Sequence, residues 1–197
     1  MKYRSLVRAT EPAVEPVTLA EAKAHLRVDI SDDDALISAI IKASREFVEE
    51  YLDRSLVHTQ WTLRMDAFPW EFELPRPPMA QSGTVTATTI TYTLETLSTA
   101  TLSTAEYRVD RAATPGMIRT VYSGTWPGHL WDQNSVSVTW WGGYGADGTS
   151  VPAAIRSAML MMISHLYEHR TAVAPSMAEV PLGVKALLDT HRWGSYR

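Results

Sequence analysis

The residues best suited to chemistry lie together near the C-terminus, in the stretch His165-Leu166-Tyr167-Glu168-His169. Its pattern, H-x-x-E-H, is that of the inverzincin metalloproteases. Two histidines one helical turn apart can hold zinc, and the glutamate can activate a water molecule. At about 100° per residue the two imidazoles lie about 40° apart around a helix, close enough to share one ion. A catalytic zinc also needs a third protein ligand from a separate element. Glu179, Asp189 and His191 are the candidates, and none comes with the ligand helix or substrate-binding strand such enzymes use. Glu168 points roughly 150° away from the centre of the apolar stripe on its helix. Helix-flank histidines and a Glu168–Arg170 surface pair account for the same residues without a metal. A zinc hydrolase is kept only as the alternative.

Other catalytic patterns are absent. There is no G-x-S-x-G, and His25, His58, His129 and His191 are isolated. With no cysteine in the chain, disulfides, thiolate zinc sites and cysteine nucleophiles are excluded. Asp32, Asp33 and Asp34 are adjacent, which suits the capped, positive end of a helix better than the spaced oxygens of a calcium loop. Gly142, Gly143 and Gly145 match no phosphate-cradling motif and mark a turn or bulge. The seven tryptophans could stack on bases, but residues 120–150 contain no lysine or arginine to hold a strand. Core packing or a protein interface is the better use of them.

Three zones position these residues. Residues 17–55 read as helical. Thr18-Leu19-Ala20-Glu21 has the form of a capping box for a short helix to about Leu26. A long helix over about 32–53 follows, with Leu36, Ile40, Ala43, Phe47 and Tyr51 in an apolar stripe that Ile37, Ile41, Val48 and Leu52 widen. Lys42, Arg45, Glu46, Glu49 and Glu50 are its expected solvated face.

The middle zone, about 56–148, changes to a period of two. Val57, Thr59, Trp61, Leu63 and Met65 alternate as a half-buried strand does. Trp70, Phe72 and Leu74 repeat the pattern, as do Val136, Val138 and Trp140. The threonine-rich run after Ser82 has the β-branched content of strands, with Val85, Ile90, Tyr92 and Leu94 as apolar anchors.

The third zone returns to helix over about 152–170, with Ile155, Met159, Met162 and Leu166 facing inward, and again over about 182–192 with Val184, Leu187 and Leu188. The fold class is therefore α+β: a helical core built from both ends of the chain, with an inserted β-rich subdomain at about 56–148. The expected divisions are an N-terminal arm over 1–16, helical core over 17–55 and 149–197, and the insertion between them.

At 197 residues, 45% hydrophobic and 20% charged, the chain can bury a core of ordinary globular size. Its net charge of −4 disfavours a protein whose task is to grip nucleic acid. Only residues 151–197 are net positive, with 5 basic against 3 acidic side chains. The N-terminus has no apolar core of a secretory signal, and no stretch approaches the length of a membrane span. A soluble protein made and used in a cytoplasm is expected.

The order of "PVTLAEAKAHLRVD", "DDDALISAIIKASREFVEEYLDRSL", "TQWTLRMDAFP", "ELPRPP", "YRVD", "TWPG", "VSVTWWGGYG", "VPAAIRSAMLMMISHLYEHR" and "VPLGVKALLDTHR" resembles the head–tail connector (adaptor) proteins of long-tailed bacteriophages and phage-derived gene transfer particles. The resemblance runs from about Pro16 to Arg192. It makes "HLYEHR" a helix-ending pattern rather than a metal site. It implies a virion structural protein and no enzyme, with no catalytic residue, cofactor or metal. Such proteins form a homo-oligomeric ring, usually a dodecamer, beneath the portal. The ring extends the DNA channel, lets double-stranded DNA pass without specific binding, and docks a stopper or tail-completion protein. Assembly in the host cytoplasm followed by residence in the particle neck is implied, with no membrane partner. The C-terminal segment would reach the portal, with Arg192, Trp193, Tyr196 and Arg197 as its contacts. Another head-completion or tail-completion protein is the alternative within the same class.

Overall fold

A computed structural model describes residues 5–81, 88–169 and 182–192, which form eight β-strands and four α-helices. The protein is α+β, as the change of period along the sequence implies. The chain divides into two units, one of Met1–Ala13 with His58–Tyr144 and one of Val14–Val57 with Gly145–Arg197.

In the first unit every strand pairing is antiparallel. A five-stranded sheet has the order β1 (Ser5–Thr10), β2 (Thr59–Met65), β8 (Val136–Gly142), β4 (Thr89–Thr93), β5 (Thr99–Thr101). A three-stranded sheet has the order β3 (Glu71–Leu74), β7 (Gly116–Thr120), β6 (Tyr107–Asp110). The alternating residues of β2 and β8 meet in register, Trp61 opposite Trp140, Leu63 opposite Val138 and Met65 opposite Val136. With Phe72, Leu74, Ile90 and Ile118 they form one buried cluster. Each such side chain removed from water contributes about 1.5–3 kcal/mol. At its edge Tyr107 donates a hydrogen bond to the Thr88 carbonyl at 2.6 Å, and burial raises the phenol's pKa.

Two features differ from the sequence expectation. Residues 5–10 form a full edge strand, paired with β2 from Ser5–Arg64 to Thr10–Gln60 with an irregularity between Arg8 and Thr10. Trp70 does not continue the buried alternation of Phe72 and Leu74: it precedes β3 and is 77% exposed. The turn expected at the glycines is present after β8, where Gly143 adopts φ 125°, a region open to glycine at little cost. Its N–H donates to the Pro78 carbonyl at 2.8 Å.

The second unit contains α1 (Leu19–Leu26), α2 (Asp34–Leu52), α3 (Ala153–Glu168) and α4 (Leu182–Asp189). The capping box of α1 is formed as read. The Glu21 N–H donates to Thr18 Oγ1 at 3.2 Å and the Thr18 N–H donates to Glu21 Oε2 at 2.9 Å. Helix α2 is rotated from the expected orientation. Its buried line is Ile37, Ile41, Ser44, Val48 and Leu52 with Ile40, while Leu36 and Ala43 are exposed and Phe47 and Tyr51 half-buried. The cause is that Arg45 and Glu49, expected in water, are inside.

The acids at the start of α2 also act differently from simple caps. Asp33, at the N-cap, makes no side-chain capping bond and instead accepts from the Tyr167 hydroxyl of α3 at 2.6 Å. Asp34 accepts from Lys23 Nζ of α1 at 2.6 Å. Their charge still favours the positive end of the helix, but their bonds tie three helices together. Helix α3 buries Ile155, Ala158, Met159, Met162 and Ile163, with Leu166 half-buried. Gly148 opens a single 3-10 turn where the carbonyl of Pro16 lies against its Cα, leaving no room for a Cβ.

Candidate functional site

Helix α3 places His165 and His169 side by side, ring centroids 5.0 Å apart and tilted by 37°. His169 caps the helix, and its Nδ1 lies 2.9 Å from the His165 carbonyl. Glu168 is exposed at the last helical position. Of the third-ligand candidates, only the Asp189 carboxylate has a described side-chain partner. Asp189 accepts from the Tyr51 hydroxyl at 2.6 Å, the His191 carbonyl accepts from Arg54 Nε at 2.6 Å, and Glu179 is outside the described residues. Among the described residues no group of three His, Asp or Glu side chains could hold a metal ion. Among the described residues the rings of His25, His58, His129 and His191 make no hydrogen bond or ion pair. Burial lowers the pKa of His58.

The strongest charge constellation in the second unit was not legible as one. Arg45 Nη1 donates to Glu49 Oε2 at 3.0 Å, both side chains 1% exposed, and Arg45 Nε donates to Glu15 Oε2 at 2.8 Å. The second oxygen of Glu49 accepts the Leu56 N–H at 3.0 Å. The guanidinium thus bridges α2 to the segment before α1, while its glutamate partner fixes the chain after α2. Buried charges are tolerated when paired and hydrogen-bonded in this way. The i, i+4 spacing of Arg45 and Glu49 is the signal that was available, but on a helix surface it reads equally as an exposed pair. A second link joins Arg156 of α3 to Glu21 and to the Pro16 carbonyl. These bonds have no nucleophile, general base or open coordination position among them. What they can do is hold α1, α2 and α3 in one arrangement.

Around the C-terminal end of α2 the structure brings together Tyr51, Asp189 and Arg192. The Arg192 guanidinium lies over the Tyr51 ring, 5.2 Å from its centroid, and Phe47 stacks on the same tyrosine at 6.1 Å. The hydrogen bond to Asp189 raises the Tyr51 pKa above its ordinary value. Arg192 is therefore already seated on an aromatic ring of its own chain. Trp193, Tyr196 and Arg197, the other residues assigned to the portal, lie outside the described residues.

The tryptophans divide by role. Trp61 and Trp140 are core, Trp126 stacks on Phe68 at 4.7 Å, and Trp70 and Trp131 are exposed. Among the described residues no helix is long and apolar enough to cross a membrane.

Part of the chain is similar to a known family, and the fold as a whole to known structures. Residues 16–107 match the family described as Phage gp6-like head-tail connector protein. That segment, just under half of the chain, holds α1, α2 and strands β2 to β5, and it is what this protein shares with the head–tail connector family. Its fold is also that of three chains in solved structures. One is in the virion of a native gene transfer agent particle, with TM-score 0.77 and 21% identity, covering 95% of this chain and 94% of that one. Another is in the neck of an empty particle of that kind, computed with C6 symmetry, with TM-score 0.76, 23% identity and 95% of both chains covered. A third is in a native neck computed with C12 symmetry, with TM-score 0.74 and 21% identity. No curated protein sequence matches the chain.

Proposed function

We propose that the protein is a structural head–tail connector that forms a ring beneath the portal of a phage or phage-like particle. The match of residues 16–107 to the connector family carries this reading. The likeness of fold over 95% of the chain to a chain in a C12-symmetric neck supports a ring of about twelve copies. The ring extends the DNA channel, and the net charge of −4 suits a channel through which DNA slides, because dense lysine and arginine would hold phosphates. The C-terminal segment from α4 onward, with Arg192, Trp193, Tyr196 and Arg197, is the portal-contacting part, since arginine and aromatic side chains are frequent energetic centres of interfaces. The opposite end of the ring receives the stopper or tail-completion protein. The protein works by assembly in the host cytoplasm and then in the particle neck, without turnover.

The test is to mix the purified chain with isolated portal rings of the same particle and image the product by electron microscopy. A second ring stacked on one end of the portal is expected. Portals that stay bare at saturating chain concentration would contradict the assignment.

A further inference from the structure

The three-stranded sheet turns Phe72, Leu74, Ile118 and Tyr107 inward and leaves its other face with an unusual row of charge. Cross-strand register places Glu71 opposite Arg119, and Arg119 opposite Arg108. Two guanidinium side chains on directly opposed positions repel, a destabilising arrangement in an isolated sheet. Among the described residues neither arginine forms an ion pair, and the bond that Arg108 makes is to the Tyr107 carbonyl beside it. Both line a shallow cleft of about 560 Å³ with Glu71, Val109, Asp110 and Met117. Both also line a second hollow of about 430 Å³, shared with Trp70 and Tyr122. Trp70 is 77% exposed and Tyr122 fully so. Unpaired arginines flanked by exposed Trp and Tyr have the composition of an interface hot spot awaiting an anionic, partly apolar partner.

A nucleic-acid backbone does not fit this face. Residues 56–150 hold 5 basic and 8 acidic side chains, and Glu71 and Asp110 sit in the cleft itself. A strand of phosphates needs an uninterrupted run of cations. A short peptide with carboxylates at two points and an apolar residue between them does fit. The chain carries one in the turn between α1 and α2, Asp29-Ile30-Ser31-Asp32, where all four residues are exposed and Ile30 is 61% exposed. The carboxylates of Asp29 and Asp32 make no hydrogen bond or ion pair among the described residues.

We propose that the Arg108–Arg119 face of one copy receives the Asp29–Asp32 turn of the next, with Ile30 against Trp70 and Tyr122. Every copy then has one socket and one plug, and such a head-to-tail contact closes into a ring when the rotation between copies allows. This rests on the ring reading above and assigns its subunit contact.

Charge swapping tests it, with self-association followed by sedimentation velocity on the chain alone and on portal rings. The variants R108E/R119E and D29R/D32R each weaken self-association about a hundredfold or more, because like charges then face each other. Mixed in equal amounts they recover it, since each supplies the complement of the other. The quadruple variant also self-associates alone. Unchanged circular dichroism and melting show that these exposed substitutions leave the fold intact. Wild-type association that neither double variant alters overturns the assigned contact and leaves the ring standing. A wild-type chain that stays monomeric at every concentration and on portal rings overturns both. Loss of binding to double-stranded DNA in R108E/R119E, with self-association unchanged, gives the cleft to nucleic acid and also overturns the proposal.

Discussion

Arg45 and Glu49 sit in a helix otherwise patterned for solvent on that side, yet each is almost wholly removed from water. Their identity alone argued for exposure, since charged residues are rarely buried unless paired. The deciding partners, Glu15 and the Leu56 N–H, lie outside the helix, so the local pattern could not reveal them. Replacing Glu49 takes the buried carboxylate from Arg45, which keeps its bond to the partly exposed Glu15, and takes the acceptor from the buried Leu56 N–H. Glu49→Ala should therefore cost about 3–5 kcal/mol, read by urea unfolding, whereas R45M/E49M should cost less than the single change. A loss below about 1 kcal/mol for Glu49→Ala would show that the pair is hydrated like a surface one. Glu21 gives a pH signature. The Thr18 backbone N–H, then the Thr18 hydroxyl and Arg156, hold its carboxyl below the usual value of 4.5. The folded state thus binds the proton less readily than the unfolded state. This stability is complete above about pH 4.5 and is lost as the pH falls through the lower folded value. Glu21→Gln should flatten that part of the acid-unfolding curve, and an unchanged curve would show that Glu21 plays no part in it.

At the scale of elements, the bond from Tyr167 to Asp33 makes the start of α2 depend on the end of α3 rather than on its own cap. A cycle of Tyr167→Phe, Asp33→Ala and the double variant should show a coupling of about 0.5–1.5 kcal/mol. Strict additivity would mean that the contact carries no stability. The elements themselves were largely legible. The period of two in Trp61, Leu63, Met65 and in Val136, Val138, Trp140 gave β2 and β8, and Thr18 with Glu21 gave the start of α1. Strand β1 was not, because an edge strand reading Ser-Leu-Val-Arg-Ala-Thr, half-exposed, has little apolar alternation and takes its pairing from β2. The ends of α1 and α2, read at about 26 and 53, fall at Leu26 and Leu52 although no glycine marks them. They close on Arg27 and Asp53 in the left-handed region, where glycine would have announced the stop. Of the residues whose types could do chemistry, His165 and His169 do neighbour each other as the spacing implied, but a third ligand is a tertiary fact that no spacing supplies.

For the whole molecule, α1, α2 and α3 of the second unit are joined by Arg45, Arg156, Lys23 and Asp33 into a brace with no reactive centre among those bonds. The first unit carries the exposed sheet face, and the turn at Asp29–Asp32 the matching charge. The proposed connector would act through what it stacks against, and its central property would be the ring. Native mass spectrometry at rising protein concentration, with and without added zinc, measures that property directly. The account predicts a closed assembly of about twelve copies, as in a C12-symmetric neck, with the mass of protein alone in both conditions. A monomer that holds one zinc ion per chain, and loses it when His165 or His169 is replaced, would contradict the account and restore the hydrolase.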